Sequence, residues 1–169
     1  MDTISQLKPF LISRSFNVSR DLMWQLWTDP NHFKNWFGPQ GVTISKYEMD
    51  LRPGGMLHSC MVAPDGTEMW AKLLYKEIDP PNKLTYITMF SDKDGGLARH
   101  PMSATWPLEM LTTITFTEEN GQTTVSIEWL PINATTEEIE TFDSARAGMD
   151  QGWSGTFAQL EAYLVIVTN

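Results

Sequence analysis

One stretch of this sequence has to be a long amphipathic helix. Met149, Trp153, Phe157, Leu160 and Leu164 recur at steps of 4, 4, 3 and 4, so one face of that helix must be covered. Ahead of it lie six segments of strand character, each bounded by Gly, Pro, Asp or Asn. Val42–Leu51 runs into Arg52-Pro53-Gly54-Gly55, and Met56–Ala63 into Pro64-Asp65-Gly66. Thr67–Ile78 ends at Asp79-Pro80-Pro81-Asn82, with Leu84–Phe90 beyond it. Leu108–Thr117 and Thr123–Leu130 flank Glu118-Glu119-Asn120-Gly121, whose Asn-Gly pair signals a hairpin. A sheet built from these strands is the only large apolar surface the helix can meet.

The chain opens with a strand at Pro9–Phe16. Ser19 is placed to cap a helix over Arg20–Thr28, with Asp21 in its first turn. Asn31–Phe37 reads as a second short helix closed by Gly38-Pro39. The final helical stretch starts at a Thr135 or Thr136 cap, with Glu137, Glu138 and Glu140 in the first turns. Gly148, Gly152 and Gly155 lie within it at about 1 kcal/mol each against alanine, a cost that goes with close approach of a backbone or a ligand. The order is β-α-α-β6-α, an α+β fold in which a curved antiparallel sheet of about seven strands wraps a long C-terminal helix and readily leaves a cavity. A closed barrel with an external helix is the alternative topology.

Composition narrows the partners. At 169 residues the chain suits one domain, residues 1–169, with a core large enough to need no staples. The net charge is −9, and residues 101–169 set only Arg146 against ten carboxylates. A phosphate backbone needs clustered Lys and Arg, so nucleic acid and anionic membranes are excluded as partners. The first residues lack a signal-peptide pattern, and the apolar run Tyr163 to Val167 is far short of the ~20 residues of a membrane span. A single cysteine, Cys60, precludes an internal disulfide. These features suit a cytoplasmic protein. Seven Trp, eight Phe and ten Met point to a large, adaptable apolar interior.

A family resemblance rests on specific blocks. Phe16-Asn17-Val18-Ser19-Arg20, Trp27-Thr28-Asp29-Pro30 and Trp36-Phe37-Gly38-Pro39 are followed by Met49-Asp50-Leu51-Arg52-Pro53-Gly54-Gly55, Pro64-Asp65-Gly66 and Glu77-Ile78. Gly148-Met149-Asp150-Gln151-Gly152-Trp153 completes the set. In this order they resemble the family named for the activator of heat shock protein 90 ATPase, from about residue 10 to 165. Arg99-His100-Pro101-Met102 through Trp106-Pro107-Leu108-Glu109 resembles its bacterial single-domain branch. The resemblance implies a START-like helix-grip fold of the SRPBCC superfamily, with an apolar ligand in the cavity as the superfamily's common theme. The family's name implies an association with stress response. Eukaryotic members add a separate chaperone-binding domain for which this chain has no room, so no chaperone interaction is expected of it alone. A homodimer is left open.

Candidate chemistry is sparse. Glu48, Asp50 and Arg52 share a strand face by period-two spacing and read as an ion pair pinning the turn that follows. His32, His58 and His100 make no metal-spaced set, so no metal is expected. Cys60 lacks a base, and Gly152-Trp153-Ser154-Gly155 departs from a nucleophile elbow at Thr156. Asp92-Lys93-Asp94-Gly95 begins like a calcium loop but reaches Ser103 where a glutamate belongs. No cofactor motif is present. What remains is a candidate ligand-binding set. Trp36, Phe37, Met49, Met69, Tyr75, Tyr86 and Met110 join Met149, Trp153 and Phe157 of the last helix. Trp106 and His100 come from the long loop Ser91–Pro107, and His58 from mid-strand. Within Thr67–Ile78 the inward face is ambiguous, Trp70, Leu74 and Ile78 competing with Met69, Leu73 and Tyr75. The loop, with Met102, Trp106 and the pair Gly95-Gly96, is expected to act as a lid.

The leading reading is a non-enzymatic domain binding a small apolar or aromatic molecule between sheet and helix. The alternatives are a chaperone-related interaction module and a cyclase or hydrolase using the same cavity.

Overall fold

Seven strands form one antiparallel sheet: β1 (Phe10–Phe16), β2 (Thr43–Met49), β3 (Met56–Val62), β4 (Glu68–Asp79), β5 (Lys83–Ser91), β6 (Met110–Glu119) and β7 (Gln122–Pro131). In the computed structural model, which describes residues 7–38, 41–101 and 103–168, they lie side by side as β1-β7-β6-β5-β4-β3-β2. Each strand from β2 to β7 pairs with its sequence neighbour, and only β1 crosses over to close against β7. The turns do what their residues dictate. Asn120 (φ 54) and Gly121 (φ 79) sit in the left-handed region that the two-residue β6–β7 turn demands. A Cβ on Gly55 would lie 2.1 Å from the Asp50 carbonyl oxygen, so the β2–β3 turn admits only glycine there. Register shifts at Ile44/Lys46 and Tyr75/Glu77 interrupt the ladders, and bulges of this kind bend a sheet.

Helix α1 (Arg20–Thr28) is capped by Ser19, whose side chain accepts from the Leu22 amide. Asp29 ends it and caps the single turn α2 (Pro30–Phe33) by accepting from Asn31 N at 2.9 Å. This α2 is shorter than the expected Asn31–Phe37, because after Phe33 the chain continues in turns that drive Trp36 and Phe37 inward. The Trp36 indole donates to the Leu26 carbonyl at 2.9 Å, and Trp27 meets it edge-on at 4.7 Å. The corner is therefore an aromatic wedge at one end of the sheet.

The C-terminal helical stretch is broken where the sequence reads continuously. Of the two caps expected, Thr135 and Thr136, helix α3 (Thr136–Ser144) takes Thr135, and Glu138 completes a capping box with it. It stops at Ala145 (φ −96, ψ 7), and α4 (Arg146–Thr168) begins. The bend lets fully buried Phe142 enter the core while α4 takes its own direction across the sheet. Arg146, the first residue of α4, ties the bend to Asp143 at 2.8 Å and to the Pro9 carbonyl at 3.2 Å. The stripe Met149, Trp153, Phe157, Leu160 and Leu164 is buried, joined by Thr156. Phe157 packs on Phe16 of β1 with ring centroids 5.9 Å apart, and Gln159 donates to the Trp36 carbonyl at 3.2 Å. No helix is long and apolar enough to cross a membrane among the described residues.

Candidate functional site

Between α4 and the concave face of the sheet lies a cavity of about 420 Å³. Its floor follows from strand alternation and register. Leu57, Ser59 and Met61 of β3 stand opposite Leu73, Ala71 and Met69 of β4, and all six face the cavity. Tyr86, Thr88 and Phe90 continue the floor on β5, Met110 on β6 and Trp129 on β7. This settles the ambiguity in β4: Met69 and Leu73 face inward, and Trp70 lies on the opposite side beside His58. The roof is one face of α4, where Gly148, Met149, Gly152, Trp153 and Thr156 line the space. A Cβ on Gly148 or Gly152 would meet nothing within 4 Å, so these two glycines leave open volume. Phe37 and Gly38 close one end, and His100, Trp106 and Pro107 the other.

Eight of the sequence-derived candidates thus line the same cavity: Phe37, Met69, Tyr86, His100, Trp106, Met110, Met149 and Trp153. Five lie elsewhere. Trp36 and Phe157 are spent on packing, the first against Trp27 and the second against Phe16. Tyr75 is buried beside Tyr86, 6.1 Å between centroids, and Met49 packs on the core at the end of β2. His58 points the other way, because Leu57 and Ser59 hold the concave positions of β3. Its Nε2 lies 3.2 Å from the Asp92 carbonyl, to which it donates, and 3.1 Å from Ser91 Oγ, while its ring tilts on Trp70 at 5.2 Å. Facing away from the cavity, His58 instead anchors the start of the loop through the Asp92 carbonyl. Met102 and Pro39 lie outside the described residues.

Trp129 is a wall residue that the sequence reading passed over. Its signal was present: Val125, Ile127 and Trp129 alternate with Ser126 and Glu128 along β7, and the first two are fully buried. The Arg99–Glu138 ion pair had no local signal, since it joins the loop to α3 across the fold.

The wall is almost wholly apolar, and its polar groups are mostly hydroxyls and the His100 ring. Burial holds the His100 imidazole below the ordinary histidine value, so it is neutral at pH 7. Burial likewise pushes the Tyr86 phenol far above its usual range, with the neighbouring Tyr75 adding to the effect. The Tyr86 phenol therefore keeps its proton near neutrality. Cys60 sits on the convex side, its thiol raised by burial and donating to Glu68 at 3.6 Å. Asp50 and Arg52 pair at 2.7 Å in the turn, as their spacing suggested, while Glu48 lies 3.9 Å from Lys46 instead.

The loop between β5 and β6 is tied at several points. The Asp92 carboxylate accepts from the Asp94 and Gly96 amides at 2.8 Å each, closing a turn around Gly95. Lys72 donates to the Gly95 carbonyl at 2.9 Å. Farther on, Arg99 pairs with Glu138, and Thr141 donates to Thr105 at 2.8 Å. Trp106 rests between His100 and Phe142, at 6.2 and 6.3 Å. The loop therefore covers the mouth as a structured flap.

A curved antiparallel sheet gripping a C-terminal helix, with an apolar cavity between them, defines a START-like helix-grip domain. The chain belongs to the family of Activator of Hsp90 ATPase homolog 1-like proteins, which it matches over residues 17–165. Solved structures agree on the fold. A protein from Mycobacterium smegmatis superposes with a TM-score of 0.77 at 24% identity, covering 95% of this chain and 92% of that one. One from Nitrosomonas europaea gives 0.75 at 24% identity, covering 99% of each chain. The AHSA1 protein from Silicibacter pomeroyi gives 0.73 at 17% identity, covering 94% of this chain and 99% of that one. No curated protein sequence matches the chain significantly.

Proposed function

We propose that this protein is a non-catalytic binder of a small apolar or aromatic molecule, held between the sheet and α4. The observation that carries the reading is the cavity of about 420 Å³, within the size range of small-molecule sites and walled by aromatic rings, methionines and aliphatic side chains. Apolar burial at roughly 25 cal/mol per Å² supplies the affinity, reduced by the cost of ordering the ligand. Methionines at 61, 69, 110 and 149 suit a site that moulds itself to its guest. Binding without chemistry is favoured by a wall that, among the described residues, carries no Lys, Arg, Asp, Glu or Cys and whose aliphatic hydroxyls are Ser59, Thr88 and Thr156.

The test is a titration with N-phenyl-1-naphthylamine, an uncharged dye that brightens in apolar surroundings. Saturable brightening weakened by both Trp153→Phe and Trp106→Ala supports the reading. Absence of saturable binding to the folded protein overturns it.

A further inference from the structure

Taking the cavity as a binding site, as above, we infer that its ligand is an uncharged aromatic compound carrying a hydrogen-bond acceptor that the hydroxyl of Thr88 receives. Two observations lead there.

The first is the distribution of charge. Among the described residues no Lys, Arg, Asp or Glu lines the cavity. Three cations that adjoin lining residues in the chain are engaged elsewhere: Lys72 with the Gly95 carbonyl, Arg99 with Glu138, and Arg146 with Asp143. A carboxylate or ammonium entering this space gives up its water and meets no counter-charge, which strongly disfavours the ionised form. Burial by the protein's own atoms favours the neutral His100 ring.

The second is a hydroxyl pair. Thr88 Oγ1 and Thr112 Oγ1 lie 2.8 Å apart and share one hydrogen bond. Thr112 is completely buried, whereas Thr88 faces the cavity. If Thr88 donated, the Thr112 proton would be left in the apolar interior, so the favourable arrangement has Thr112 donating and Thr88 accepting. The Thr88 proton is then free on the cavity side. Thr88 stands between Leu73 and Met110 in the cross-strand row, so the groups beside its hydroxyl along that row are apolar. Such a group contributes orientation and selectivity. The rings of Trp106, Trp129 and Trp153 offer edges and faces to a planar guest.

Three probes of one shape separate the possibilities: naphthalene, 2-acetylnaphthalene and 2-naphthoate, titrated against wild type and Thr88→Val by tryptophan quenching. Wild type is expected to bind the ketone about fivefold more tightly than naphthalene, the equivalent of one net hydrogen bond. It should bind the ketone at least about tenfold more tightly than the carboxylate, given the cost of an unpaired buried charge. Thr88→Val should bring the ketone's affinity down to that of naphthalene measured on the same variant, whose far-UV circular dichroism should match that of wild type. Naphthoate binding as well as the ketone, or a ketone advantage surviving in the variant, overturns the inference while leaving the binding function standing. If none of the three binds folded wild type, the proposed function itself fails and the inference with it. The carboxylate comparison needs no variant, so the charge argument is tested even if Thr88→Val misfolds.

Discussion

Arg99 of the flap donates to the carboxylate of Glu138 on α3, and that carboxylate is only 6% exposed while Arg99 is 48% exposed. The same carboxylate also accepts from the Thr135 amide at 2.9 Å, closing the capping box. One acid thus begins α3 and fastens the flap, so the helix start and the cavity mouth share a fastening.

This arrangement carries a pH dependence. Burial opposes ionisation of Glu138, but the Thr135 amide and Arg99 outweigh it and hold the carboxyl below its ordinary value. A carboxylate depressed in the folded state stabilises above its unfolded pKa, about 4.3, and that contribution fades as pH falls through the folded value. Glu138→Gln should flatten this part of the acid limb of a Tm-versus-pH curve. Arg99→Leu should move the limb to higher pH and cost about 2 kcal/mol at pH 7, below the 3–5 kcal/mol of a fully buried pair because Arg99 is half in solvent. Urea unfolding at pH 7 and at about pH 3.5, below the unfolded value, measures both.

His100 gives a second, separate window. Burial lowers its pKa from 6.5, so the unfolded chain takes up its proton at a pH where the folded chain does not. Stability from this residue is present above about 6.5 and is lost as pH falls toward the lowered value. His100→Asn should remove that slope between neutrality and the carboxylate limb, and thermal melts from pH 7.5 to 5 would display it. An unchanged slope would place the titration in another group.

The glycines of the roof yield an inverse expectation. Since a Cβ on Gly152 meets nothing within 4 Å, Gly152→Ala should stabilise the protein by about 0.5–1 kcal/mol through helix propensity. Gly152→Leu should fill the cavity and lower probe affinity more than tenfold while the fold persists. Denaturation curves and dye titration on the two variants check the pair of effects.

Trp153 joins packing to the site. Its ring is 7% exposed, lies 6.4 Å from Trp27 in a stacked pair and meets Trp129 edge-on at 5.5 Å. Trp153→Ala should cost about 3 kcal/mol, the low end for tryptophan, because one side of the ring already borders empty space. Chemical denaturation showing a loss near 5 kcal/mol would mean that the ring is enclosed on every side.

Much of the architecture was readable because breakers and periodicity act locally. Asn120-Gly121 makes its hairpin, Ser19 and Thr135 cap their helices, and the stripe from Met149 to Leu164 turns inward. The site was only half readable. Period-two alternation divides β3 into Met56, His58, Cys60 on one side and Leu57, Ser59, Met61 on the other, but neither set is clearly the apolar one. Which side meets α4 is decided by register with β4, a property of the assembled sheet. The break at Ala145 was hidden for a similar reason, since nothing in Ser144-Ala145-Arg146 opposes helix and the bend answers to Phe142 and the Arg146 contacts. Thr88 and Thr112 likewise become partners only through the pairing of β5 with β6.

The tryptophans of the interior also give the molecule an optical property. Trp36 touches Trp27, Trp27 stacks on Trp153, and Trp153 meets Trp129, so four indoles form one contiguous chain from the α1–α2 corner to β7. Excitation absorbed by any of them migrates readily to the others at such distances. A guest that quenches Trp153 or Trp129 therefore darkens the whole chain, including two rings it never touches. The protein is its own reporter, and occupancy of its cavity can be followed without a label.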